Sequence, residues 1–381
     1  MSQPNPFHSP AASSRARCRL LLGTVALAIA IPLFAQEMPK LVIDETCQAF
    51  AIAPNSTTIA YAVPRIKHVK RLYIERDDIF ISEGGKSRRI VDAEKFMPFP
   101  PPVGYVINSM RWSPNGKRLA LDMTLQQPPE GYEIATGKNK GKEQDTEDRS
   151  PVSTVGGGRV VGLLDDDGSE LKVAGSKTRF IEEAKNAAWL GDNQTVVYQG
   201  GGSNQIARVK LSDGKIEMLF DGRAFDAIAW DTARDRAFAI GRGIRGQTTV
   251  MQLDLLHERI AELAHIENYQ GQLTLSASGK KLGFFEDGDT VDTMDVANPS
   301  RIVRTRVGYG HFEFSGDENR ILLKRGPDEK SNSLLWVNLD DGSFTSTLHD
   351  LTFRDFALAP DGESLIVTQP GTRVLKVFPA R

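Results

Sequence analysis

The feature that most constrains this chain is a short unit that recurs along it: apolar strand, polar turn, apolar strand. "MRWSPNGKRLALDM" from Met110 is its fullest form. The others are "AFAIAPNSTTIAYAV" from Ala49, "AAWLGDNQTVVYQ" from Ala187, "IAWDTARDRAFAIG" from Ile228, "LTLSASGKKLGFFE" from Leu273, "FEFSGDENRILLKR" from Phe312 and "FALAPDGESLIVTQ" from Phe356. The second turn residue of each gives the markers Pro54, Pro114, Gly191, Thr232, Ala277, Gly316 and Pro360, and the last four spacings are 41, 45, 39 and 44 residues. A period of this length signals a repeat architecture. Inside each unit, apolar and polar residues alternate with period two, and β-branched and aromatic types dominate. The units are therefore strands and not the helices of a solenoid.

A second hairpin follows the first. "DIFISEGGKSRRIV", "VVGLLDDDGSELKV", "IARVKLSDGKIEML" and "LLWVNLDDGSFTSTL" each read as strand, glycine-containing turn, strand. Gly168, Gly214 and Gly342 stand where a tight turn needs positive φ. Four strands per unit and seven units predict an all-β chain, a seven-bladed β-propeller of four-stranded antiparallel blades. One blade has two faces and can bury neither alone, so each must pack on its neighbours. Trp112, Trp189 and Trp230 fall at equivalent positions and are read as inter-blade packing residues. The last unit is a strand short. "KLVIDETCQAFAIAP" from Lys40 has the layout of "KIEMLFDGRAFDAIAWD" from Lys215, so Lys40 to Asp44 is expected to complete blade seven and remove two open edges.

"WSPNGKRLAL" and "LAPDGESLIV" resemble the WD40-like repeat of the TolB type, and the units at Ala187, Ile228 and Phe312 are degenerate copies. The resemblance covers the chain from about residue 40 to 379. It implies a propeller and makes a cell-envelope assembly the expected setting. TolB-type proteins carry an additional N-terminal α/β domain, for which there is no room between Ala35 and Lys40. The same unit builds the propellers of prolyl-oligopeptidase-type peptidases and of some lyases, so it implies a fold and not an activity.

The first 35 residues are read as a signal peptide. Arg15, Arg17 and Arg19 precede the 16-residue apolar run Leu20 to Ala35, which is short for a membrane span and contains Pro32. Cleavage after Ala35 predicts a periplasmic or secreted protein with no stable membrane insertion; left uncut, the same segment would serve as an anchor. Cleavage leaves Cys47 alone, a small buried residue at a strand start, so the core and not a disulfide must hold the fold. The net charge of −2 argues against nucleic-acid binding.

Catalytic signatures are missing. There is no G-x-S-x-G elbow, and His68, His257, His265, His311 and His349 form no close metal-ligating pair. "DDDG" from Asp165 and "EDGDTVD" from Glu286 do not match a calcium loop. No metal, cofactor or catalytic residue is expected. The long segments, from Pro64, Lys95 and Gln126, map to one face over blades 1 and 2, with a disordered insertion expected at 126–157. Arg65, Lys67, His68, Lys70 and Arg71 make a basic strip there. Arg242 and Arg245, Lys324 and Arg325, and Lys67 or Arg71 are candidates for a basic ring around the central mouth. The leading expectation is a monomeric, non-catalytic binding or scaffold module for a protein or envelope polymer. The alternative is a polysaccharide lyase or hydrolase centred in the funnel.

Overall fold

The computed structural model describes residues 41–379 apart from 44, 46, 56, 70–71, 97–103, 128–151, 154, 177–179, 309, 326–333, 349–354, 363 and 369–374. The expected leader, residues 1–35, lies outside the described residues. The chain is an all-β, seven-bladed propeller, with two single-turn 3-10 segments among the described residues, Phe220–Gly222 and Thr232–Arg234. Blade 1 comprises Ala49–Ile52, Thr58–Val69, Leu72–Glu83 and Lys86–Val91; blade 2, Gly104–Trp112, Arg118–Gln127, Val155–Asp165 and Phe180–Glu182. Blade 3 comprises Ala184–Trp189, Thr195–Gly200, Ile206–Lys210 and Ile216–Met218; blade 4, Ala227–Asp231, Arg236–Arg242, Thr248–Asp254 and Arg259–His265. Blade 5 comprises Tyr269–Leu275, Lys281–Glu286, Thr290–Asp295 and Asn298–Arg306; blade 6, Gly310–Phe314, Arg320–Arg325, Leu334–Asn338 and Phe344–Leu348. The seventh sheet joins Asp355–Leu358, Ser364–Thr368 and Leu375–Pro379 to Leu41–Ile43, which runs antiparallel to Leu375–Pro379 with Ile43 opposite Leu375.

The repeat's letters have local physical roles. In "WSPNGK" the Ser113 hydroxyl accepts the backbone N–H of Arg118 at 2.9 Å and donates to Asn115 Oδ1, while Gly116 takes φ +67°. Ser276 and Ser315 repeat this hydroxyl contact in blades 5 and 6. The basic residue that opens the second strand clamps the next blade. Arg118 donates to the Asn193 carbonyl, Arg236 to Gly279 at 2.9 Å and Lys281 to Glu318 at 2.9 Å. The tryptophans also act between blades. Trp112 Nε1 donates to Ala51 O at 3.1 Å, and Trp230 Nε1 to Asn186 O at 2.9 Å. Trp189 is fully buried with residues of blades 2 and 3, under the Arg118 guanidinium. Cys47 is buried, as expected, in a cluster with Ile43, Tyr61, Val63, Ile366 and Val377.

Two regions differ from the expectation. In blade 2 the residues after Gly168 keep only a bridge from Glu170 to Leu164, and Phe180–Glu182 forms the outer strand. Between them, Ala174 N–H donates to Leu211 O of blade 3 at 2.9 Å. The second difference is in blade 1. The segment from Pro64 is paired strand, not loop. Its two 12-residue strands stay in register from Thr58↔Glu83 to Val69↔Leu72. The first strand of the blade reaches only to Ala62, so the pair continues as a two-stranded ribbon for about 20 Å at ~3.3 Å per residue. Val152–Ser153 adds a parallel strand beside Leu72–Tyr73. At the ends of the expected insertion at 126–157, Gln126 and Gln127 pair with Gly156 and Val155; residues 128–151 lie outside the described residues.

Candidate functional site

The ribbon is bolted to blade 2 at its base. Asp77, fully buried, accepts Ile107 N–H at 2.6 Å, and Tyr105 donates its hydroxyl to Asp77 O at 2.9 Å. Asp78 accepts Ala93 N–H at 2.7 Å. Only glycine lets the first strand of blade 2 pass, because a Cβ at Gly104 would sit 2.4 Å from Glu75 O. Beyond this base the ribbon presents Arg65, Ile66 and Lys67 to solvent, with Ile66 63% exposed. Arg65 Nε lies 2.8 Å from the buried Asp78 carboxylate, and Lys67 Nζ lies 3.2 Å from Glu94. Each of these two cations therefore already has an acidic partner. His68 lies on the ribbon strand with its side chain outside the described residues; Lys70 and Arg71 lie outside them altogether.

The other candidate cations do not form a single rim. Arg242 and Arg245 are exposed around the blade 4 turn, with Arg242 3.4 Å from Gly246 O. Lys324 is 8% exposed on the second strand of blade 6, opposite His311. Arg325 ends that strand, its side chain undescribed.

The innermost strands build a more defined site. Their free edges face the channel, and side chains from adjacent blades satisfy them. Bulges in blades 3 and 5 hold Asn186 at φ +49° and Gln272 at φ +50°, a left-handed conformation that aims each amide across a blade boundary. Gln272 brackets the Phe312 peptide of blade 6, donating to its carbonyl at 2.6 Å and accepting its N–H at 3.2 Å. At the end of the channel ringed by the short turns lies a cavity of about 510 Å³. Its wall is mostly apolar (Phe50, Ile52, Trp112, Leu275, Phe314, Leu358), and three polar side chains face it: Arg111, Thr274 and Glu313.

Arg111 meets channel solvent yet is surrounded by protein. Burial lowers its pKa to about 10, which leaves it a cation at neutral pH. Glu313, on blade 6, accepts Leu358 N–H of blade 7 at 2.6 Å. Burial pushes its carboxyl up to about 8, so it is a neutral acid at pH 7. His311 packs edge-on against Phe356 at 5.1 Å, and burial lowers its imidazole pKa against the pull of Asp355. His311 Nε2 and Glu313 Oε1 stand 4.0 Å apart, outside hydrogen-bond reach. Among the described residues no three His, Cys, Asp or Glu side chains are grouped to hold a metal ion, and no helix is long and apolar enough to cross a membrane.

A buried carboxyl pair in blade 5 was not visible in "EDGDTVD", because its third member comes from another strand. Glu286 and Asp292 are both buried, and Arg304 reaches both, at 2.8 and 3.2 Å. Burial and the adjoining Glu286 push Asp292 up to about 7, while Asp292, the Glu267 N–H and Arg304 hold Glu286 below its usual value despite burial. The folded pair therefore keeps a proton that the unfolded chain releases near pH 4. The contribution of this Asp292 proton to stability is then full below pH 4 and declines as pH rises through 7. Urea unfolding is expected to show a loss of about 1–2 kcal/mol between pH 5 and 8, at least halved in Asp292→Asn. Equal pH slopes for the two proteins would refute the shared proton.

No protein-family model matches the chain, and a search of curated proteins gives no match. Solved structures are. The β-propeller domain of Cps50 (Swd1) from Myceliophteria thermophila superposes with a TM-score of 0.59 at 12% identity, covering 91% of this chain and 100% of that one. A chain of the mitotic checkpoint complex gives 0.56 at 13% identity, covering 100% and 98%. Both are WD40 β-propellers. The likeness is one of fold.

Proposed function

We propose that this protein is an exported, non-catalytic binding module that holds a protein or cell-envelope partner on the face over blades 1 and 2. The observation that carries this reading is the ribbon. Two 12-residue strands run well past their blade, are anchored at the base by buried Asp77 and Asp78, and expose Ile66 between two cations. A scaffold that needs only to close its ring has no use for such an extension, whereas a recognition element gains from rigid backing. The TolB-type resemblance of the repeats and the basic, then apolar, N-terminus support an envelope setting and a periplasmic or secreted location. With both ribbon cations paired to acids, Ile66 and the ribbon's outer surface are the contact determinants, and charge contributes mainly to orientation.

Photo-crosslinking in the native cell tests this. A crosslinking residue at position 66 or 67 is expected to yield one discrete adduct. At Lys280, on the short-turn face, it is expected to yield none. Adducts from Lys280 alone, or from neither face, would refute the assignment.

A further inference from the structure

The cavity at the short-turn end of the channel is separate from the ribbon, and its chemistry is specific. Arg111 is its cation, and it lacks a counter-ion of its own. The nearby carboxylate, Asp122, is taken by Arg159, which grips both oxygens at 2.6 and 3.2 Å. Arg111 makes two long hydrogen bonds from Nη1, to Ala187 O at 3.2 Å and Asn186 Oδ1 at 3.4 Å. Among the described residues its Nε and Nη2 have no partner. A guanidinium open to channel solvent, with no carboxylate of its own, can take an anion that enters the cavity. The guanidinium offers a planar fork that fits a carboxylate with two parallel hydrogen bonds.

The opposite wall is suited to the same ligand. Glu313 stands three blades away around the ring. Its Oε2 accepts the Leu358 N–H, and burial pushes its carboxyl up to about 8, so at pH 7 it adds little negative charge to repel an anion. Apart from Thr274, the rest of the lining is mostly aromatic and aliphatic, and about 510 Å³ lies within the range of small-molecule sites. We propose that this cavity binds a small organic monocarboxylate with a compact apolar body, its carboxylate on Arg111 and its body against Trp112 and Phe314. The site does not depend on the ribbon, and either assignment can fail without the other.

Calorimetric titration at pH 7 with 3-phenylpropanoate, and with its uncharged twin 3-phenylpropanamide, tests the proposal. The acid is expected to bind at least tenfold more tightly than the amide. Arg111→Gln brings the acid down to the amide's level, while Glu313→Gln, which keeps a neutral donor, stays within twofold of the unmodified protein. Because Arg111 also bonds blade 3, Ala357→Phe provides a second variant. It fills the cavity from blade 7 and is expected to abolish binding of both probes without lowering the melting temperature. Equal affinity for acid and amide, an acid affinity unchanged by Arg111→Gln, binding retained in Ala357→Phe, or no binding of either probe at millimolar concentration would each overturn it.

Discussion

Deleting residues 36–45 is expected to lower stability by about 4–6 kcal/mol and to make the protein prone to aggregate. Leu41–Ile43 pairs with Leu375–Pro379, and Ile43 is buried with residues of blades 1 and 7. Losing a buried isoleucine costs about 1.5–3 kcal/mol. The three cross-strand pairings add about 0.5–1.5 kcal/mol per hydrogen bond lost. At roughly 2–4 °C per kcal/mol for a domain of this size class, the melting temperature drops by about 10 °C or more. The loss also bares Leu375–Pro379 as an open edge, which templates association between chains. A thermal melt and a sedimentation run on the truncated protein check both effects. If it melts with the parent and stays monodisperse, the pairing does not latch the ring.

Trp189→Ala carries the next largest effect, about 3–5 kcal/mol. Its ring is fully buried between blades 2 and 3, with Ala120, Val161 and Leu163 on one side and Val196 and Val209 on the other. Truncation leaves a cavity there and removes the surface on which the Arg118 guanidinium lies, 5.5 Å from the ring centroid. Trp230→Phe is the informative contrast. It keeps most of the apolar contact and loses the 2.9 Å bond to Asn186 O, a change of about 1 kcal/mol. Urea unfolding of the two variants is expected to separate them by about 2 kcal/mol or more. If they cost the same, packing of the Trp189 ring does not hold blades 2 and 3 together.

The repeat was legible because each of its letters acts locally. Ser113, Gly116 and the alternation in "RLALDM" shape a turn and a half-buried strand whatever the rest of the chain does. The ribbon was harder to see. "PRIKHVKRLYIERD" carries a proline and charges at both kinds of strand position, and its pairing depends on Asp77 and Asp78, whose partners Ile107 and Ala93 lie elsewhere in the chain. The clamping role of Arg118, Arg236 and Lys281 left a trace, a basic residue recurring just after the inner turn, but its target is always in the next blade. The cavity left no trace. Arg111 and Glu313 are about two hundred residues apart and meet one space only because seven sheets close on an axis.

By itself the sequence determined the unit, its number and the strand polarity, since turn chemistry and period-two burial are properties of neighbouring residues. Tertiary structure alone decided which charges are already paired, which carboxyls keep a proton and where an unpaired cation faces an apolar space. Those depend on distances between blades, and electrostatic interaction in a low-dielectric interior is set by such distances and not by order along the chain.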